Sequence, residues 1–244
     1  MKGLRNLKDK EKLGFMEGLR DGIPIGLGYL SVSFSFGISA VSKGISWLAA
    51  TIISITNLTS AGQVAGLTII SAAGTLLEMA LAQLIINMRY SLMSLSLSQR
   101  LDSSFTLPHR FIASFGITDE IFAAASGKGR DITPSYMYGI ISLPFVCWSL
   151  GTLLGGIAGS IMPDMLRNSL GIAIYGMFIA IFIPPARKSV GVLVTVVIAA
   201  GLSCCFTFIP VFEQLSSGFA VIICTLIASA AAALLFPRKE AEAE

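Results

Sequence analysis

The sequence predicts an all-α polytopic membrane protein of six to eight transmembrane helices, with broken or re-entrant helices in its middle. Three observations carry that expectation. Of 244 residues, 54% are hydrophobic and 13% charged, and the mean hydropathy of +0.80 lies well outside soluble composition. Apolar runs such as Ser189–Ile209 and Gly218–Phe236 match the ~20 residues a helix needs to cross a hydrocarbon core. Between Thr56 and Arg130, however, the apolar sequence carries Asn57, Gln63, Glu78, Gln83, Asn87, Arg89, Asp119 and Glu120. Charges at a membrane centre cost roughly 2.5–3.5 kcal/mol each on insertion scales, so this stretch is where function is expected.

Taken in order, residues 1–22 form a basic segment with Lys2, Arg5, Lys8, Lys10, Lys12 and Arg20, expected on the cytoplasmic side. A single transmembrane domain is expected over 23–236, followed by a cytoplasmic tail over 237–244. The run Ile23–Val41 is too long for a signal-peptide core, is broken by Pro24, Gly26, Gly28 and Gly37, and reads as an uncleaved first helix. Four more spans follow from length and hydropathy: Ser135–Gly159, Asn168–Pro184, Ser189–Ile209 and Ser217–Phe236. Prolines close them at Pro163, Pro184-Pro185, Pro210 and Pro237, because proline cannot continue the helical ladder.

Basic residues set the orientation. Arg187 and Lys188 are expected inside, together with Lys128, Arg130, Arg238 and Lys239; the Met162–Arg167 and Pro210–Gln214 links then fall outside. With both termini inside, the chain between Gly44 and Lys128 must cross an odd net number of times. Two arrangements satisfy this. One has six crossings, with Trp47–Gln63 and Phe111–Ala125 re-entrant. The other has eight, with breaks near Gly74 and in Gln99–Arg110, and the length of Trp47–Ser71 favours it. Either way, non-helical backbone at membrane depth requires a cavity or a protein neighbour. The short match between Ile55-Thr56-Asn57 and Ile117-Thr118-Asp119 hints at duplicated broken helices.

Several function classes are excluded by what is absent. The polar tracts are too short for a folded soluble domain, and no G-x-x-x-x-G-K-[ST] phosphate loop occurs. The single histidine, His109, rules out Ser-His-Asp, Cys-His and H-E-x-x-H schemes, so no catalytic residue and no enzymatic activity are expected. Cys147, Cys204, Cys205 and Cys224 lie in apolar runs without metal-ligand spacing and read as packing residues. No metal, cofactor or nucleic-acid partner is expected.

The polar middle supplies the candidate site. Asn57, Ser60, Gly62 and Gln63 can offer hydroxyl, amide and free backbone groups to a zwitterion, as unwound transporter helices do. Arg89, beside Asn87, can grip a carboxylate with two parallel hydrogen bonds. The adjacent carboxylates Asp119 and Glu120 share an apolar neighbourhood, which raises the proton affinity of one of them and makes it a candidate proton carrier. Glu78 is a further candidate for that role. Each residue also has a plainer reading, as a helix cap, a headgroup-level flank or an interhelical contact.

Three segments together, Ser60-Ala61-Gly62-Gln63, Asn87-Met88-Arg89-Tyr90-Ser91-Leu92-Met93 and Thr118-Asp119-Glu120-Ile121-Phe122-Ala123, resemble the AzlC family of bacterial branched-chain amino acid exporters. The resemblance runs from Gly18 through the C-terminal helices. Two departures bear on substrate preference more than on fold: Thr59-Ser60 where many relatives carry an aromatic residue before Ala-Gly, and Tyr90 where histidine is frequent. The resemblance implies secondary-active export of valine, leucine, isoleucine or methionine across the bacterial inner membrane, with a small AzlD-like membrane subunit as partner. A non-transporting membrane scaffold or accessory subunit is the alternative.

Overall fold

The computed structural model describes residues 12–129, 131–171, 173–212 and 215–237. Among them the chain is helical throughout, with no strand beyond an isolated bridge between Leu101 and Ile132. The helices are α1 (Phe15–Ser42), α2 (Trp47–Thr56), α3 (Ser60–Ser71), α4 (Leu76–Ser98), α5 (Leu107–Phe115), α6 (Asp119–Ser126), α7 (Pro134–Ile161), α8 (Asp164–Gly171), α9 (Ala173–Lys188), α10 (Val190–Phe208) and α11 (Ser217–Leu235). Of these, α1, α7, α10 and α11 are long and apolar enough to cross a membrane. The basic residues at 2, 5, 8, 10, 130, 238 and 239 lie outside the described residues.

Helices α8 and α9, on either side of residue 172, which lies outside the described residues, cover the expected span Asn168–Pro184. One correction concerns the second half. Pro184 and Pro185 do not stop α9, which continues to Lys188. Each proline forgoes its own bond to the carbonyl four residues back, but its carbonyl still accepts, and the Ser189 amide donates to that of Pro185 at 3.0 Å. The other proline stops hold: α7 ends at Ile161, α10 at Phe208 and α11 at Leu235.

The chain forms two compact units. The first comprises residues 1–63 and 87–171, the second residues 64–86 and 172–244. The first is organised by a parallel pair, α1 and α7. Gly18 lies against Tyr136 and Ile140, Gly22 against Ile140 and Pro144, Gly26 against Leu143 and Cys147, Gly37 against Thr152 and Gly156, and Gly159 against Ile38. Both residue series ascend together, so the helices point the same way. A Cβ at Gly139, Gly151 or Gly155 would collide with a carbonyl of α1, so the backbones themselves touch. At one end this pair is closed by an apolar cluster of Leu13, Leu97, Phe105, Ile121, Ile132 and Tyr136.

The shorter helices of this unit take their direction from the pair. At its start α5 places His109 against Tyr138, with His109 Nδ1 2.6 Å from the Tyr138 hydroxyl, and at its end it packs Phe115 against Phe145. It therefore ascends along α7. Helix α6 begins beside Tyr29 and ends beside Asp21 and Glu17, so it descends along α1. Together α5 and α6 make a hairpin whose tip, Gly116-Ile117-Thr118, lies about halfway along α1. Helix α2 enters from the other end, with Trp47 against Gly156 and Ser54 against Thr152.

The second unit has its own core, in which Ile69, Ala82 and Ile222 pack with Met79, Ile85 and Phe219. Helices α10 and α11 run antiparallel, Gly191 at the start of one meeting Phe236 just beyond the end of the other. No described residue of α10 is buried.

Candidate functional site

Two interruptions of helix make the site. Between α2 and α3, Asn57-Leu58-Thr59 is unwound. Asn57 Oδ1 accepts from the Thr59 amide at 3.2 Å, and Thr59 Oγ1 accepts from the Gly62 amide at 3.3 Å. Thr59 thus caps α3, whose first residue is Ser60. Gln63 is 2% exposed. Its amide donates to the Asn57 carbonyl, which has lost its helical partner, and its Oε1 accepts from Ser54 at 3.3 Å. Ser54 Oγ in turn lies 2.7 Å from Thr152 Oγ1, tying the break to α7. The glutamine supplies the hydrogen bonds that let non-helical backbone persist inside an apolar unit.

Between α5 and α6 the second interruption repeats the logic. Thr118 caps α6, its Oγ1 accepting from the Ile121 amide at 3.5 Å. The Tyr29 hydroxyl lies 2.6 Å from Thr118 Oγ1 and 2.5 Å from Glu120 Oε2. Its ring rests edge-on against Trp148, 5.2 Å between centroids. Asp119 Oδ2 pairs with Arg89 Nη1 at 2.6 Å, while Arg89 Nη2 donates to the Tyr90 hydroxyl at 3.0 Å and the guanidinium lies 4.8 Å from that ring's centre. The other oxygen, Asp119 Oδ1, is buried with no hydrogen-bond partner among the described residues.

Both interruptions open on one cavity of about 190 Å³. Asn57 and Thr59 line it from the first break, Phe115 and Ile117 from the second, and Asn87 and Tyr90 from α4. Ser114 and Ile117 also line a neighbouring, mainly apolar cavity of about 190 Å³ formed with Leu97, Phe105 and Met137.

The structure therefore brings Asn57, Gln63, Asn87, Arg89, Asp119 and Glu120 together in the first unit, with Ser60 and Gly62 in the opening turn of α3. Glu78 is placed elsewhere. It lies in the second unit, 2% exposed, where its Oε1 accepts from the Gly218 amide and the Ser216 hydroxyl, each at 2.7 Å. It holds the N-terminus of α11, where a carboxylate is favoured by unpaired amides and the helix dipole.

Sequence reading missed Tyr29, Ser54 and Thr152. Only Tyr29 carried a signal, as a phenol within the uncharged run Ile23–Val41. It also missed what holds the far end of α6. Lys128 Nζ lies 2.7 Å from Asp21 Oδ2 and 3.1 Å from Glu17 Oε1, and Tyr136 donates to Asp21 at 2.7 Å. The hydrogen bond to Asp21, supported by Glu17, holds the lysine ammonium above its ordinary range.

These features define a class: a polytopic helical membrane protein with two helix interruptions around a partly open polar cavity. More particularly, the chain belongs to the AzlC family, whose model, described as AzlC protein, matches residues 24–162. That span contains both interruptions, all of α7 and α1 from residue 24 onward. The chain is 28% identical over 196 residues to "Inner membrane protein YgaZ" of Escherichia coli strain K12, covering 78% of this chain and 80% of that one. It is 30% identical over 172 residues to an "Uncharacterized membrane protein" of Archaeoglobus fulgidus, covering 70% and 75%, and 29% identical over 155 residues to one of Helicobacter pylori strain J99, covering 60% and 66%. No solved structure matches significantly.

Proposed function

We propose that the protein is a secondary-active, proton-coupled exporter of branched-chain amino acids, valine, leucine and isoleucine with methionine at the edge of its range. In this reading it works in the bacterial inner membrane with a small AzlD-like subunit. The observation that supports it most is the convergence of two unwound segments on one cavity beside a half-buried cation, two carboxylates and two amides. Unwound segments present backbone and side-chain polar groups to a zwitterion, and the adjoining apolar cavity suits an aliphatic side chain. Asn57, Ser60, Gly62, Gln63, Asn87 and Arg89 form the substrate site, and a proton travels on Asp119 or Glu120. Glu78, occupied by α11, serves as an anchor.

The geometry also favours six crossings over eight. Helices α5 and α6 fold back on each other, so Phe111–Ala125 enters and leaves by the same side. Parallel packing of α1 and α7 agrees with an odd net number of crossings between them, supplied by α4. Both termini then face the cytoplasm.

The deciding experiment is leucine efflux from vesicles with an imposed pH gradient, the chain being assayed with and without its small partner. Gradient-driven efflux is expected, and Arg89→Lys should lower it at least ~10-fold, because an ammonium cannot reproduce a planar two-bond grip. Efflux absent in both preparations leaves the scaffold reading in its place.

A further inference from the structure

We propose that the Arg89–Asp119 ion pair stands in for the substrate in the empty site: Asp119 receives the α-ammonium of the amino acid, Arg89 its carboxylate, and the pair opens as the zwitterion enters. This rests on the export reading above and separates the two neighbouring carboxylates. Asp119 binds substrate, and proton carriage is left to Glu120 with its Tyr29 partner.

The pair is built to be exchanged. A guanidinium and a carboxylate can join through two parallel bonds. Here they meet through one, Nη1 to Oδ2 at 2.6 Å, because Nη2 is directed to the Tyr90 hydroxyl. The consequence is a buried acceptor, Asp119 Oδ1, without a donor among the described residues. Buried acceptors are normally satisfied, and one left without a donor is unfavourable by roughly 1–3 kcal/mol. An ammonium, with three donors, can take that oxygen and keep contact with Oδ2 as well.

Charge bookkeeping agrees. The resting pair is neutral and so is a zwitterion, so after insertion each of the four charges faces an opposite one and the half-buried site gains no net charge. A primary amine would neutralise Asp119 and leave Arg89 unpaired, and a carboxylic acid the reverse. The site therefore discriminates by leaving one of its own groups without a partner. The two partners are also carried by separate elements, Arg89 by α4 and Asp119 by the first turn of α6. Their near neighbours in sequence, Asn87 and Tyr90 on α4 and Ile117 before α6, line the cavity. Opening the pair would thus loosen α6 at this end while Lys128 still holds its other end to Asp21 and Glu17.

The test is equilibrium binding to the purified full chain in nanodiscs, with leucine, isopentylamine (no carboxylate) and 4-methylpentanoate (no ammonium) as probes. Wild type should bind leucine and bind each analogue at least ~100-fold more weakly. Asp119→Asn should lose at least ~30-fold in leucine affinity while gaining affinity for 4-methylpentanoate, because Arg89 has lost its internal partner. That opposite movement is the signature. Asp119→Asn binding leucine within about threefold of wild type, or weakening both probes alike, would overturn the proposal. So would a wild type that takes either analogue as well as leucine, a comparison that needs no variant to fold. A wild type that binds none of the three probes removes the export reading itself, and this assignment with it.

Discussion

Helices α7 and α10 are both long, uncharged and apolar, yet they do opposite things with their surfaces. Along α7, Gly139, Gly151, Thr152, Gly155, Gly156 and Gly159 are all buried, most of them against the backbone of α1. Helix α10 buries no described residue and presents Val190, Leu193, Val197 and Phe208 outward. Hydropathy does not separate the two, because lipid accepts a valine as readily as a protein interior does. Side-chain size separates them. Helices in a bilayer associate where small residues let backbones approach, and a Val-rich surface is contented with acyl chains. The first unit is knitted by what its helices lack, and the second is anchored at a few points, Glu78 on α11 foremost.

The comparison can be broken most severely in the seam. Gly155→Val puts a branched side chain where even a Cβ meets the Phe34 carbonyl, and no flexible side chain can give way. Separation of α1 from α7 should cost more than about 4 kcal/mol, read as loss of monodisperse protein in detergent. An intermediate effect is expected in the second unit. Glu78→Gln keeps one acceptor oxygen for α11 but loses the charge, which should lower stability by about 1–2 kcal/mol, measured as a fall in melting temperature with the pH dependence of any transport unchanged.

A weaker effect is expected at the linker. The Ser104 hydroxyl and amide, with Lys12 3.3 Å away, hold the Asp102 carboxyl down at about 2. A depressed carboxyl stabilises the fold above its ordinary value of 3.8 and loses that contribution as pH falls from there through about 2. Melting temperatures recorded between those limits should fall less steeply in Asp102→Asn than in wild type. The smallest effect sharpens the contrast: at Gly201 in α10 a Cβ meets nothing within 4 Å. Gly201→Ala should be neutral or stabilising by up to about 1 kcal/mol, in the same melting assay that registers the Gly155 substitution.

Much of this was legible in the sequence. Ile23–Val41, Ser135–Gly159, Ser189–Ile209 and Ser217–Phe236 fall on α1, α7, α10 and α11, because length and hydropathy are local properties. Thr118 as a cap was legible for the same reason. The interruption at Asn57-Leu58-Thr59 was visible as polarity, but its stabilisation by Gln63, Ser54 and Thr152 joins residues 98 apart at its longest step and leaves no local trace. The fold-back of α5 on α6 was one of two arrangements left open, because a short apolar run reads the same whether it leaves by the far side or by the side it entered. Glu78 read as a candidate proton carrier because nothing near it in sequence announces that the N-terminus of α11 will sit on it. The proline pair at Pro184-Pro185 misled in the other direction, since a proline removes its own ladder bond yet leaves its carbonyl free to accept the next one.

The parallel pairing of α1 with α7 also has a meaning for how the protein is made. The small-residue face of α1 is synthesised first, and its partner follows about 120 residues later, from Gly18 to Gly139. At a translation rate of roughly 5–20 residues per second, α1 waits on the order of 6–24 s in the membrane before α7 exists. Through that interval its row of glycines is open to any helix with a matching groove. Whatever keeps wrong partners away during those seconds, an insertase or the helices emerging in between, sets the yield of correctly assembled protein.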